Sequence, residues 1–287
     1  MRTIAAVTTC NKVGYERYGA RMLESFVRHW PREIELYFYA EGFSPRAQSD
    51  RLFVLDLITC CPDLAAFKER HRDNPHAHGM TPPLFGLGLR LKKRKREGKL
   101  LPKIKIRRMR GERYRWDAVR FSHKMFAIFN VVERCKADVL FWIDADTFTF
   151  ADVPFHYLDS LMPENCLLSF LKRSHCSECG FVGYNLRHPA IGSFISSFKY
   201  LYTDDKLFKE KEYHDSWLFD VLRKKFECLG CETHDIAEGL GAGIGHVLIN
   251  CSLGKYMDHA KGGRWMQGAS RKEDLFTLRT EAYWLDK

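Results

Sequence analysis

The sequence predicts an α/β protein, a three-layer α-β-α sandwich around a mostly parallel central sheet. Three observations carry this. Short apolar runs recur at 3–9, 34–42, 52–57, 139–144, 166–172 and 180–185. Between and after them lie stretches with apolar residues at helical spacing, at 15–30, 116–135, 190–202 and 214–225. The strand runs are apolar nearly throughout rather than alternating, the pattern of a sheet covered on both faces.

Each element follows from its residues. TIAAVTT at 3–9 reads as a buried first strand. Met22, Leu23, Phe26, Val27 and Trp30 then recur near every 3.6 residues, and Pro31 closes that helix. IELYFYAEG ends at Gly42, and LFVLDL follows as a third strand, giving a β-α-β-β opening. From 60 to 89 the prolines, glycines and histidines predict loops, with one short helix at 63–72. Val119, Met125, Phe126, Ile128, Phe129, Val131 and Val132 restore a helical stripe before the central strand VLFWID. A short helix at 154–161 precedes the strands CLLSFLK and GFVGYN. Ile191, Phe194, Ile195, Phe198 and Leu201 mark one later helix, and Trp217, Leu218, Val221 and Leu222 another. The tail after Gly254 reads as irregular, and no internal repeat is visible. The expected organisation is one domain over 1–287, with 73–115 inserted in it.

The chain has 287 residues, 45% hydrophobic and 29% charged, which excludes a globally disordered protein. Its net charge of +10 is unevenly spread. Residues 90–115 hold 14 Lys or Arg against two Glu, so this segment alone carries +12 and the rest of the chain −2. Such density points to a polyanionic partner. The start MRTIAAVTTC meets polar Asn11 and Lys12 too early for a secretory leader. No apolar run reaches the roughly 20 residues a membrane span needs. Cytoplasmic residence is the expectation, with the ten cysteines reduced or holding metal.

The most informative stretch is VLFWIDADTFTF. A hydrophobic strand stops at Asp144 and Asp146, separated only by Ala145. Ligands of open α/β sheets sit at the carboxyl ends of strands. Two carboxylates there suit a hard divalent ion, which would bridge diphosphate oxygens and offset charge on a leaving group. The plain alternative is a solvated acidic turn.

With these motifs in this order, the chain resembles the GT-A glycosyltransferases. The likeness is to the retaining families related to glycogenin and to bacterial lipopolysaccharide glucosyl- and galactosyltransferases. It rests on TIAAVTTCN, the helix with Arg120 and Lys124, the Asp144–Asp146 strand, GFVGYN, HDSWLFD and DHAKGGRW. Residues 73–115 have no counterpart in that pattern.

The resemblance implies Mn²⁺ or Mg²⁺ and a donor diphosphate at Asp144 and Asp146, with UDP the usual nucleotide and a retaining outcome. Thr8, Thr9 and Asn11 stand where the family's nucleoside-binding loop begins. Arg120 and Lys124 share a helix face and would contact donor phosphate or sugar, Lys124 foremost. His259 matches a late metal-ligating histidine in H-x-x-G-x-x-K, but Trp265 replaces the final lysine. Lys261 or Arg264 would then reach the phosphate, with Gly262 and Gly263 admitting backbone approach. Asp215, also suited to cap its helix, would face the donor sugar, and Glu178 is a second acidic candidate. Attack assisted by the donor diphosphate and a covalent route through a carboxylate both remain open.

Apart from that family pattern, Cys176-x-x-Cys179 and Cys228-x-x-Cys231 have the spacing of a structural Zn²⁺ site, with His175 and His234 nearby. Two other functions compete. A sugar-nucleotide enzyme with a pyrophosphate loop is poorly served by TTCNKVG. A non-catalytic nucleic-acid-binding protein explains 90–115 but leaves Asp144, Asp146 and His259 without a task. For the acceptor, modified duplex DNA stands ahead of an anionic membrane or glycolipid surface, because KKRKREGK holds no apolar residue. Pro102 breaks any continuous helix there, and the interleaved Leu and Ile residues allow a hairpin strand or a membrane-surface element.

Overall fold

A computed structural model describes residues 2–80, 89–96, 99–106, 109–241 and 245–287. In chain order the elements begin with β1 (Ile4–Asn11), α1 (Lys12–Gly14), a π-helical turn (Tyr15–Gly19), α2 (Ala20–His29), β2 (Glu35–Glu41) and β3 (Leu52–Asp56). There follow α3 (Leu57–Cys60), α4 (Pro62–Arg70), β4 (Leu89–Arg96), β5 (Lys99–Ile106), α5 (Ala118–Arg134), β6 (Val139–Ile143) and β7 (Thr147–Thr149). The second half adds α6 (Phe155–Ser160), β8 (Cys166–Leu171), β9 (Glu178–Asn185), α7 (Ile191–Thr203), α8 (Asp215–Cys228) and β10 (Glu232–Asp235). The tail holds α9 (Val247–Asn250), β11 (Met257–His259) and α10 (Ala282–Leu285), joined by 3-10 turns.

Seven strands form the central sheet in the order β10-β8-β9-β6-β1-β2-β3. Four of its pairings are parallel. Only β9 runs against its neighbours, antiparallel to both β6 and β8. The sheet is apolar on both faces because its side chains alternate between two cores. From β1, Ala5 and Val7 join Leu140, Trp142, Phe126, Phe129 and Phe198 on one face. Ile4 and Ala6 join Phe141, Phe38, Leu23, Phe26 and Leu248 on the other. Each such large apolar side chain stabilises the fold by roughly 1.5–3 kcal/mol on burial. The three-layer, mostly parallel architecture expected from the sequence is therefore the one observed.

Some details depart from the expectation. The helix after β1 starts at once, because Asn11 caps it by accepting from the Gly14 amide at 2.7 Å. A β-carbon at Gly14 would stand 2.8 Å from Cys10 Sγ and 2.7 Å from Tyr18 Oη, so only glycine admits this close approach of the π turn to β1. The cap of α8 is His214 rather than Asp215, which is the first helical residue, with no side-chain cap bond from His214. The segment that joins the sheet near Gly180 begins at Glu178, two residues before the expected strand.

Within the basic segment, β4 and β5 pair antiparallel from Leu89↔Ile106 to Arg96↔Lys99, the hairpin alternative of the sequence reading. Residues 81–88, 97, 98, 107 and 108, on which part of the loop and basic-segment expectations fall, lie outside the described residues. Among the described residues, no helix is long and apolar enough to cross a membrane.

Candidate active site

The parallel strands β1, β2 and β6 all end at one cleft, a cavity of about 1060 Å³. Asn11, Glu41 and Asp144 mark the three strand ends in its wall. This is where an open α/β sheet places a ligand.

The D-x-D motif is built by β6 stopping. After Ile143 the backbone turns, and the Asp144 amide donates to the carbonyl of Gly180 at 2.9 Å. The short strand β7 then pairs with β11, setting His259 opposite Thr147. The Ala260 amide donates to the Asp146 carbonyl at 2.9 Å, which fixes the two segments side by side. The result brings Nε2 of His259 to 3.0 Å from Asp146 Oδ1 and 3.7 Å from Asp144 Oδ2. One ligand atom from each of Asp144, Asp146 and His259 lies within 4.8 Å of the others. Two carboxylates and an imidazole on one point are a donor set that fits Mn²⁺ or Mg²⁺.

Behind His259 stands Glu178. Its Oε1 lies 3.1 Å from His259 Nδ1, and its Oε2 lies 2.5 Å from Lys261 Nζ and 3.3 Å from the Val247 amide. A carboxylate on the far nitrogen of a ligating histidine sets its tautomer and ring orientation. Glu178, the second acidic candidate, is in the cavity wall but only 3% exposed, with its oxygens engaged by these partners. Burial works against its charge, but Lys261 and His259 hold its carboxyl well below the usual range. Burial likewise works against the His259 cation, yet Asp146 and Glu178 on either side raise it to about 10. Burial raises Asp146 while His259 outweighs it, leaving that carboxyl below its ordinary value. Asp144 is raised, because enclosure in the cleft and the neighbouring Asp146 outweigh the relief from Lys124.

The opposite wall is made by α5 and α8. Lys124 Nζ lies 2.7 Å from Asp215 Oδ2 and 3.3 Å from Asp144 Oδ1, and donates to the Cys179 carbonyl. It also stands 4.7 Å from the centre of the Trp142 ring. The Trp142 indole donates to Asp144 Oδ1 at 2.7 Å, a contact that the sequence did not suggest. Burial penalises the Lys124 ammonium, but Asp144 and Asp215 raise it above its ordinary range. Asp215 is held low by the same lysine against the cost of burial. Asp220, deeper in α8, binds the amide and hydroxyl of Ser177 and pairs with Arg223.

The remaining predicted residues sort by position. Thr9, Asn11, Arg120, Ala145, Lys261, Gly262 and Arg264 line the cavity. Thr8 does not; it is fully buried on β1, and Thr9 instead turns its hydroxyl to the Tyr39 carbonyl at 2.8 Å. Gly263 also lies outside the lining. Of the two basic candidates, Lys261 sits on Glu178, whereas Arg264 is engaged with Asp274, Nε to Oδ2 at 2.7 Å.

The cysteine pairs do not converge. Among the described residues, the groups of three or more His, Cys, Asp or Glu within reach of one ion contain no cysteine. Cys176 accepts from Arg173, Cys179 is buried in the core, and Cys228 is exposed at the end of α8. Burial pushes the Cys176 and Cys179 thiols up. The expected structural Zn²⁺ at these four residues is therefore corrected.

Gly180 is the missed signal with the clearest reason. A β-carbon there would lie 2.5 Å from Cε1 and 2.9 Å from Nδ1 of His259. The glycine of GFVGYN makes room for the imidazole.

No family model and no curated protein matches this chain. Among solved structures, mouse xyloside xylosyltransferase 1 in its apo form matches at 10% identity and a TM-score of 0.44, over 81% of this chain and 84% of that one. The apo-form glycosyltransferase GlyE of Streptococcus pneumoniae TIGR4 matches at 12% identity and a TM-score of 0.41, over 81% of this chain. A second GlyE structure matches at 13% identity and a TM-score of 0.43, over 80% of this chain. The match spans 45% of the GlyE chain, less than half its length.

Proposed function

We propose that this chain is a metal-dependent glycosyltransferase that moves a sugar from a nucleoside-diphosphate donor, UDP foremost, to an acceptor hydroxyl with retention. The carrying observation is the convergence of Asp144, Asp146 and His259 in a cleft at the ends of the parallel strands. When bound there, Mn²⁺ or Mg²⁺ supplies Lewis-acid stabilisation of the diphosphate leaving group. The chain's own residues do the rest. Lys261 and Arg120 line the cleft and bring positive charge to the diphosphate. Lys124 holds Asp215 ionised beside Asp144, which puts a carboxylate where positive charge develops on the donor sugar. Thr9 and Asn11 line the side where β1 ends and serve the nucleoside. Glu178 fixes the His259 ring from behind. The whole chain acts as one catalytic domain in the cytoplasm.

A donor-hydrolysis panel with Mn²⁺ or Mg²⁺ tests this reading. Release of nucleoside diphosphate from one donor, abolished by chelator, is the expected result. Full turnover in excess chelator would refute it.

The acceptor, on the same reading, is polyanionic, and modified duplex DNA is favoured. The support is the +12 charge of 90–115 in a chain otherwise near neutral. Replacing Lys92, Lys93, Arg94, Lys95 and Arg96 with Ser should weaken duplex binding while donor hydrolysis continues. The log–log salt dependence should become shallower by about 0.9 for each phosphate that the variant no longer neutralises. Flotation with anionic liposomes in place of DNA binding would move the acceptor to the membrane surface.

A further inference from the structure

On the far side of His259 from Asp146, three buried groups meet. Glu178 Oε1 lies 3.1 Å from Nδ1 of His259 and 3.9 Å from Nδ1 of His246. The ligand atoms of all three residues lie within 4.8 Å of one another. None is more than 3% exposed.

The tautomer of His246 follows from its contacts. Its Nε2 is 2.8 Å from the carbonyl oxygen of His259, which can only accept, so Nε2 carries the proton. Nδ1 is then a bare lone pair, and it is buried without a hydrogen-bond partner. It faces a carboxylate oxygen 3.9 Å away, acceptor against acceptor, and both residues are buried. Such an arrangement is costly unless a cation comes between the two.

We propose that Glu178, His246 and His259 form a second metal site, one that takes Zn²⁺ and silences the first by capturing His259. Two imidazoles and one carboxylate are a zinc donor set. They are softer than the oxygen-rich set at Asp144 and Asp146, so the two sites sort ions by chemistry. Zinc takes the Nδ1 lone pairs of both rings and Oε1 of Glu178, while Oε2 keeps its contact with Lys261. Binding sends the Nδ1 proton of His259 to solvent. The Nε2 proton stays and continues to donate to Asp146, so this nitrogen has no lone pair to offer an ion at Asp144 and Asp146. A second ion could use that nitrogen only by expelling its proton and leaving a bridging imidazolate, so the two sites compete for one ring. Zinc weakens the outer site without touching either of its carboxylates. His246 itself lies outside the cavity lining.

The test uses the full chain and metal ions alone. Equilibrium dialysis should find one Zn²⁺ per chain. The Asp144→Asn/Asp146→Asn double variant should keep this zinc and lose Mn²⁺. His246→Gln should bind zinc at least tenfold more weakly and still bind Mn²⁺. Added Zn²⁺ should raise the apparent Mn²⁺ dissociation constant of the wild type and leave that of His246→Gln unmoved. X-ray absorption on the wild-type zinc complex needs no substitution at a buried site, and it should count two imidazole ligands. A single imidazole, zinc that departs with Asp144 and Asp146, or no bound zinc would each overturn the proposal. These readouts involve no sugar donor, so they stand or fall separately from the transferase reading.

Discussion

The two walls of the cleft solve one electrostatic problem with different materials. On one wall Lys124 satisfies Asp215 and Asp144, and its partners sit on α8, β9 and the end of β6. Those elements carry the core on which the sheet depends. On the other wall His259 and Lys261 satisfy Asp146 and Glu178, and both cations come from the tail. That tail is tied to the motif by the three-residue pairing of β7 with β11. Equivalent charge balance is thus framework on one side and an added clasp on the other. Loss of the Lys124 ammonium should cost the fold most, whereas loss of a clasp charge should only detune the site.

The largest effect tests the framework wall. Lys124→Met leaves Asp144 and Asp215 without their ammonium, and breaking a buried pair from one side costs about 3–5 kcal/mol. Thermal or urea unfolding should report it. Lys261→Met should cost less, since that lysine is partly exposed and Glu178 keeps His259 and the Val247 amide. Equal losses from the two variants would break the comparison.

Next comes the metal set. Asp144→Asn/Asp146→Asn removes two charged oxygen ligands and should weaken Mn²⁺ binding by roughly 100-fold or more, with the fold retained. Titration calorimetry alongside circular dichroism separates the two readouts.

Smaller again is Gly180→Ala. Its methyl would stand 2.5 Å from His259 Cε1, so the ring must move off Glu178 or Asp146. Disturbing what orients a ligand costs roughly 10–100-fold in metal affinity. Unchanged affinity would show that the clasp tolerates a displaced ring.

The smallest effect has the opposite sign. Gly192 is exposed in the first turn of α7, and a methyl group there would have nothing within 4 Å. Gly192→Ala should therefore raise stability by up to about 1 kcal/mol and leave metal binding alone. Chemical denaturation is sensitive enough to see it.

Much of the framework wall was legible in the sequence, and little of the clasp. Runs such as TIAAVTT and VLFWID declare buried strands because both sheet faces are covered. They do not declare direction, so the antiparallel course of β9 was invisible. Asp144, Asp146 and Lys124 sit on or beside regular elements whose ends the pattern locates. His259 was reached only through a family resemblance, and its partner Glu178 lies 81 residues earlier. No local periodicity encodes a contact of that span, which is why Glu178 was given a different task. Gly180 gave no such signal within GFVGYN, since its reason is a ring brought in by the tail. The cysteine pairs show the converse error, because matching spacing in two places says nothing about whether the fold brings them together.

The late position of His259 also sets an order of assembly during synthesis. The last strand of the seven-stranded sheet, β10, ends at Asp235. A nascent chain can therefore lay down the entire sheet, with Asp144 and Asp146 at the end of β6, before the residue that completes their ligand set has taken its place. Closing that contact spans 113 residues, the kind of non-local pairing whose loop entropy delays it. The growing protein passes through a stage in which its architecture is present and its third ligand is not, so competence to hold the ion arrives as a last, separate event of folding.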